Sequence, residues 1–170
     1  MSWGKWLTVL AAFVVSVSST AFSQDELQRK SRPAVQDDVI GTWEMIYQKH
    51  GGLVSSASLF VAPYQRIQFL ADGYVKHVTS NRPLSAADLS LWKVAPKSSK
   101  YTFPKPGVLS VVRSPTDRDV IVISFITAHF ERPLRPDAPI LKKGDLLVSY
   151  LDPKNQLYLQ RYLRRVAENP

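Results

Sequence analysis

Cysteine is absent from the chain. That excludes disulfides, thiolate metal ligands, a cysteine nucleophile and a lipid-modified cysteine at a processed N-terminus. Acidic residues are scarce, 14 Asp and Glu against 22 Lys and Arg, and the formal charge is +8. The basic excess is spread from Arg29 and Lys30 through Lys76, Lys93, Lys97 and Lys100 to Arg161, Arg164 and Arg165. No dense basic block with interleaved aromatics occurs, so no nucleic-acid partner is expected. Weak association with anionic surfaces is the bland consequence of such a charge.

The chemistry-bearing residues are few. The three histidines, His50, His77 and His129, stand far apart in sequence. They lack the spacing of a metal site, so no metal and no cofactor is expected. Asp72, Asp117, Asp119, Asp145 and Asp152 fall in turn-like segments, where aspartate serves backbone hydrogen bonds. No Gly-x-Ser-x-Gly elbow, phosphate loop or dinucleotide fingerprint is present, and no catalytic residue is assigned.

What is there begins with a leader. Lys5 precedes an apolar run, Leu7 to Val17, that is too short to span a bilayer comfortably. Ala21-Phe22-Ser23 then sets small residues before a cut between Ser23 and Gln24, with Ala21/Phe22 as second choice. Residues 1–23 thus read as a secretory signal peptide, which implies a periplasmic or extracellular protein with no membrane span after cleavage. Residues 24–36 are polar and interrupted by Pro33, and read as a flexible arm or one short helical turn.

The domain proper is expected over residues 37–167, ample for one hydrophobic core in a chain of 170 residues. Asp37 or Asp38 can cap a helical turn. From Trp43 the residues alternate, with Trp43, Met45 and Tyr47 on one face, until Gly51-Gly52. Leu53–Ala62 is ambiguous. Tyr64–Leu70 and Tyr74–Thr79 flank Ala71-Asp72-Gly73, a hairpin signal. Ser85 with Asp88 three residues on marks the start of one short helix ending near Trp92. Further strands are expected at 101–103, 108–113, 120–130, 146–151 and 156–166, with a long proline-rich loop at 131–141. About eight strands with short connections imply an all-β, antiparallel, up-and-down barrel with one short helix.

Gly41-x-Trp43 on the first strand after a helical turn, with an arginine on the last strand, resembles the lipocalin and wider calycin families. The resemblance implies that Trp43 closes the barrel floor and that an arginine packs over it. Arg161 is assigned that role, with Gly41 beside it, and Arg164 is the alternative. The implied interior lining includes Met45, Tyr47, Phe69, His77, His129 and Tyr150, with Ile67 and Tyr162 as further candidates. The expected function is binding of a small apolar or amphipathic ligand in the barrel. Two other readings stay open: a plugged barrel whose loops bind another protein, as a secreted protease inhibitor does, and a barrel enzyme of isomerase or cyclase type using a histidine or tyrosine as acid or base.

Overall fold

A computed structural model describes residues 21–50, 62–114, 117–151 and 157–166. In chain order the elements are α1 (Ala21–Lys30), β1 (Ser31–Pro33), α2 (Gln36–Val39), β2 (Gly41–His50), β3 (Tyr64–Phe69), β4 (Tyr74–Ser80), α3 (Ala86–Val94), β5 (Ser99–Lys105), β6 (Val108–Ser114), β7 (Asp117–Ile126), β8 (Leu146–Leu151) and β9 (Leu157–Arg165). Strands β2 to β9 pair with their sequence neighbours, all antiparallel, and β9 pairs back onto β2. This is a closed, eight-stranded antiparallel barrel, and closure removes the free edges of an open sheet. The expected Leu53–Ala62 segment lies outside the described residues except for Ala62.

The alternation sets the two faces. Trp43, Met45, Ile67, Phe69, Val75, Leu109, Ile121, Ile123, Val148, Leu159 and Leu163 fill the interior. Asp72-Gly73 turns the β3–β4 hairpin: Gly73 takes φ +81, and the Asp72 carboxylate accepts from the Tyr74 N–H at 3.3 Å. Ser85 caps α3 as its spacing predicts. Its hydroxyl accepts from the Asp88 N–H, the Asp88 carboxylate accepts from Ser85 N and Oγ, and Arg82 clamps the same carboxylate. These bonds hold the Asp88 carboxyl at about 2.

One seam is short. Strands β4 and β5 pair only through Tyr74↔Lys100 and Val75↔Ser99, and the connection carrying α3 spans the gap above.

One expectation needs correction. Residues 24–36 do not form a loose arm: they carry most of α1, then β1 and the start of α2. β1 pairs with β7 at Ser124–Ile126, the stretch of β7 below the first β6 partner, Val122. Gly107 permits the fit, since it takes φ +76 and a Cβ there would meet Pro33 at 2.9 Å. Of the three helices among the described residues, α2 is the helical turn expected at Asp37 and Asp38, α3 is the expected short helix, and α1 is the addition.

A second apolar cluster lies outside the barrel wall. Ile126, Phe130, Ala138, Leu141, Leu147 and Tyr162 form it, with Leu27 of α1 and Tyr47 packed against them. The 131–141 loop therefore covers the wall. Lys30 ties α1 to it by donating to the His129 carbonyl at 2.8 Å. Among the described residues, no helix is long and apolar enough to cross a membrane.

Candidate functional site

The floor of the barrel fixes the level of the residues above it. Trp43 is fully buried and its indole N–H donates to the Val39 carbonyl at 2.7 Å. The arginine over its ring is Arg165, at 4.6 Å, and not Arg161 or Arg164. Arg165 also donates to the Ile40 and Asp38 carbonyls, tying the last strand to the α2–β2 corner. Gly41 is required twice. It takes φ +126, and a Cβ would stand 2.7 Å from the Arg165 guanidinium. Arg164 points the other way and clamps the buried Asp145 carboxylate through two bonds.

Register decides this assignment. Trp43 stands opposite Arg165 and Gln48 opposite Arg161. Arg161 has the inward face that its alternation with Leu159 and Leu163 predicts, but it sits well above the tryptophan.

The same pairing contains a bulge between Met45 and Tyr47. A bulge inserts one residue and inverts the faces beyond it. Tyr47 therefore leaves the lining. It lies on the outer wall against Tyr162, ring centroids 4.8 Å apart, and donates to Asp137 at 3.1 Å. Gln48 and His50 take the inward positions instead.

A cavity of about 110 Å³ occupies the upper interior. Its apolar wall includes Ile67, Phe69, Leu109, Ile121, Val148 and Leu163; its polar groups are His77, Ser98, Ser99, Asp119, Tyr150 and Arg161. His77 and Ser98 are exposed and border the β4–β5 gap, so the cavity reaches the surface at that seam. Of the expected ligand residues, Phe69, His77 and Tyr150 line it. Met45 is buried in the interior but is not part of this wall. His129 stands outside the barrel, exposed, in the loop after β7. Tyr162 is likewise on the outer wall, where burial pushes its hydroxyl up to about 12.

A chain of side-chain hydrogen bonds crosses the interior beside this cavity. Arg161, only 1% exposed, donates from Nε to Gln48 Oε1 at 2.9 Å and from Nη1 to the Tyr150 hydroxyl at 3.1 Å. Gln65, also buried, donates from Nε2 to Gln48 Oε1 at 3.3 Å and to the Ala62 carbonyl at 2.7 Å. Gln65 Oε1 meets His77 Nε2 at 3.1 Å, and Gln48 Nε2 meets His50 Nε2 at 3.1 Å.

Donor and acceptor roles follow from the arginine. A guanidinium only donates, so Gln48 Oε1 is an acceptor and its Nε2 is the group facing His50. His50 Nε2 must then accept, which makes His50 neutral with its proton on Nδ1. That Nδ1 is buried and has no hydrogen-bond partner among the described residues. Burial, and then the Arg161 charge, lower the His50 pKa in accord with this. At the other end Gln65 Nε2 is occupied as a donor, so Gln65 Oε1 accepts and His77 Nε2 donates. The two histidines converge on one amide chain with opposite roles. Sequence reasoning does not single out Gln48, Gln65 or His50 as site residues. The available signal is Gln65, a polar residue in phase with inward Ile67 and Phe69.

Among the described residues, no group of three or more His, Asp or Glu side chains could hold a metal ion. No protein-family model, no curated protein and no solved structure gives a significant match to this chain. Fold and site together define a closed antiparallel barrel with a small, partly polar interior cavity open at one seam.

Proposed function

We propose that this is a lipocalin-like barrel that binds a small amphipathic molecule through the β4–β5 seam. The observation that carries this reading is the buried Arg161, placed with the Tyr150 hydroxyl, His77 and Asp119 in the polar part of a cavity whose remaining wall is mostly apolar. A ligand's apolar part would lie against Phe69, Leu109 and Ile121, and an acceptor group on it would meet Arg161 and Tyr150. The volume limits the size. A dry cavity of about 150 Å³ accommodates one benzene-sized molecule, whereas drug-sized pockets run to about 300–1,000 Å³. The fitting ligand is therefore a single ring or short acyl chain rather than a whole lipid. The floor of Gly41, Trp43 and Arg165 supports the lipocalin-like assignment.

Native mass spectrometry of the protein from its own host tests the reading. A small co-purified mass, lost from an Arg161→Met variant that still folds, is expected. A protein that carries no added mass and is not stabilised by any small aromatic or short-chain acid would overturn it. We further propose export, with removal of Met1–Ser23. The leader's sequence supports this, and the N-terminus of the protein recovered from the host tests it.

An enzymatic reading has one observation in its favour: His77 and Asp119 line the same cavity. His77 Nε2 is held by Gln65 Oε1 at 3.1 Å, which fixes the ring beside the cavity. Turnover lost in both His77→Gln and Asp119→Asn, with binding kept, is the result that would favour an isomerase or cyclase over a carrier.

A further inference from the structure

Helix α3 is attached to the barrel by one side only. Trp92 is buried against β4, where the Lys76 ammonium lies 6.0 Å from the indole centroid and donates to the Lys93 carbonyl at 2.7 Å. Leu91 and Val94, three residues apart and so on one helical face, are 70% and 82% exposed. No other large apolar residue described is as exposed as either.

This face is framed by lysines. Lys93 lies between the two apolar side chains in sequence and is exposed. Lys97 and Lys100 follow the helix and approach the Tyr74 ring at 4.8 and 5.4 Å. Between residues 72 and 105 there are six Lys and Arg against two aspartates, Asp72 and Asp88. Both aspartates are engaged, Asp72 with Lys97 and Asp88 with Ser85 and Arg82.

We propose that α3 and the lysines at its C-terminal end dock on an anionic membrane surface. Protruding aliphatic side chains within a lysine cluster are the chemistry of an interfacial helix: the former enter the acyl boundary and the latter meet lipid phosphates. The other occupants fit less well. A second copy would bring two lysine clusters face to face. A nucleic acid would meet Leu91 and Val94 instead of open rings, because Trp92 is buried and Tyr74 carries two ammonium groups. Docking places Ser98, and with it the cavity mouth, beside the lipid surface. The docking face stands on its own residues, whether or not the cavity holds a ligand.

The absence of cysteine makes the test clean. In the full chain, Val94→Cys is labelled with a polarity-sensitive bimane, and Lys143→Cys, on the loop before β8, the strand across the barrel from β4, is labelled as the reference. Vesicles of equimolar phosphatidylglycerol and phosphatidylcholine should shift the label at 94 to the blue and leave the label at 143 unchanged. Pure phosphatidylcholine should shift neither. Adding Lys93→Glu and Lys100→Glu should weaken the 94 response about tenfold or more, with the melting curve retained. The leader is common to all these proteins, so binding through it would not produce a difference between positions 94 and 143. A 94 label that stays in water, a shift equal at both positions, or one indifferent to phosphatidylglycerol would overturn the proposal. So would self-association by light scattering that Leu91→Asp abolishes.

Discussion

Arg165 and Arg161 lie four residues apart on β9, each above an aromatic ring, yet they belong to different parts of the molecule. Arg165 lies 4.6 Å from the Trp43 ring, is exposed, and bonds to two backbone carbonyls. Arg161 lies 5.1 Å from the Tyr150 ring, is buried, and bonds to a hydroxyl and an amide. The first keeps water on one side and seals the barrel. The second has left water, which costs several kcal/mol for an ion and needs compensating hydrogen bonds. An exposed arginine over a tryptophan is explained by stability alone. A buried arginine in a cavity wall is less simply explained that way, and this supports the proposal that a ligand binds beside it.

The largest effect expected is at the floor. Trp43→Ala removes a fully buried indole, its bond to Val39 and the ring under Arg165. It should lower stability by roughly 3–5 kcal/mol, read by urea unfolding. A midpoint within error of the parent would show that the floor does not hold the barrel.

Arg161→Met should behave differently. It keeps the aliphatic stem and removes the charge, so the cost should be roughly 1.5–3 kcal/mol for the lost charged hydrogen bonds. Affinity for the co-purified ligand should fall at least about tenfold, since a bond to an ion contributes that much or more. If Arg161→Met destabilises as much as Trp43→Ala and binding is unchanged, the contrast between the two ends collapses.

How much of this is legible in the sequence follows from the physics of strands. Period-two alternation fixes a side chain's face, and it puts Arg161, Phe69 and His77 inside. It does not fix the level, which depends on pairing with a strand more than a hundred residues away. Hence the pattern sends Arg161 to the floor that Arg165 occupies. Nor does it reveal a bulge: Ile46 breaks the alternation, but only the pairing with β9 shows that Tyr47 crosses to the outer wall. The closed barrel, the Asp72-Gly73 turn and the Ser85 cap rest on local patterns and are readable. The order of 24–36 is not, because its polar residues are held by β7 and by the loop after it.

Arg165→Ala should cost less, about 1–2 kcal/mol, from an exposed cation–π contact and two peripheral hydrogen bonds. Its value lies in a double-mutant cycle with Gly41→Ala. The glycine is required both by φ +126 and by the guanidinium, which lies 2.7 Å from where the alanine methyl would stand. If backbone conformation dominates, Gly41→Ala costs the same roughly 1–3 kcal/mol with or without Arg165. If the contact dominates, most of that cost disappears in the Arg165→Ala background.

The smallest effect separates the two ends by pH. At the Arg161 end, burial and then the Arg161 charge hold His50 below its ordinary 6.5. Below 6.5 the unfolded chain therefore binds more protons at this residue than the folded one. Its contribution to stability is fully present above that value and is lost as pH falls through the window down to the lower folded pKa. At the floor the titrating neighbour is Asp38. Burial pushes its carboxyl up, but the bond from Arg32, the Val35 N–H and the charges of Arg32 and Arg165 outweigh this and hold it below 3.8. Stability from Asp38 is present above its ordinary range and lost only in stronger acid. Urea unfolding from about pH 7 to about pH 5 should thus show a slope that His50→Gln flattens, because a His50 imidazolium would set an N–H against the Gln48 amide donor. The same substitution should leave the loss below about pH 4 in place. A His50→Gln profile that keeps the parent slope would remove His50 from the interior chain, and with it the opposite roles assigned to the two histidines.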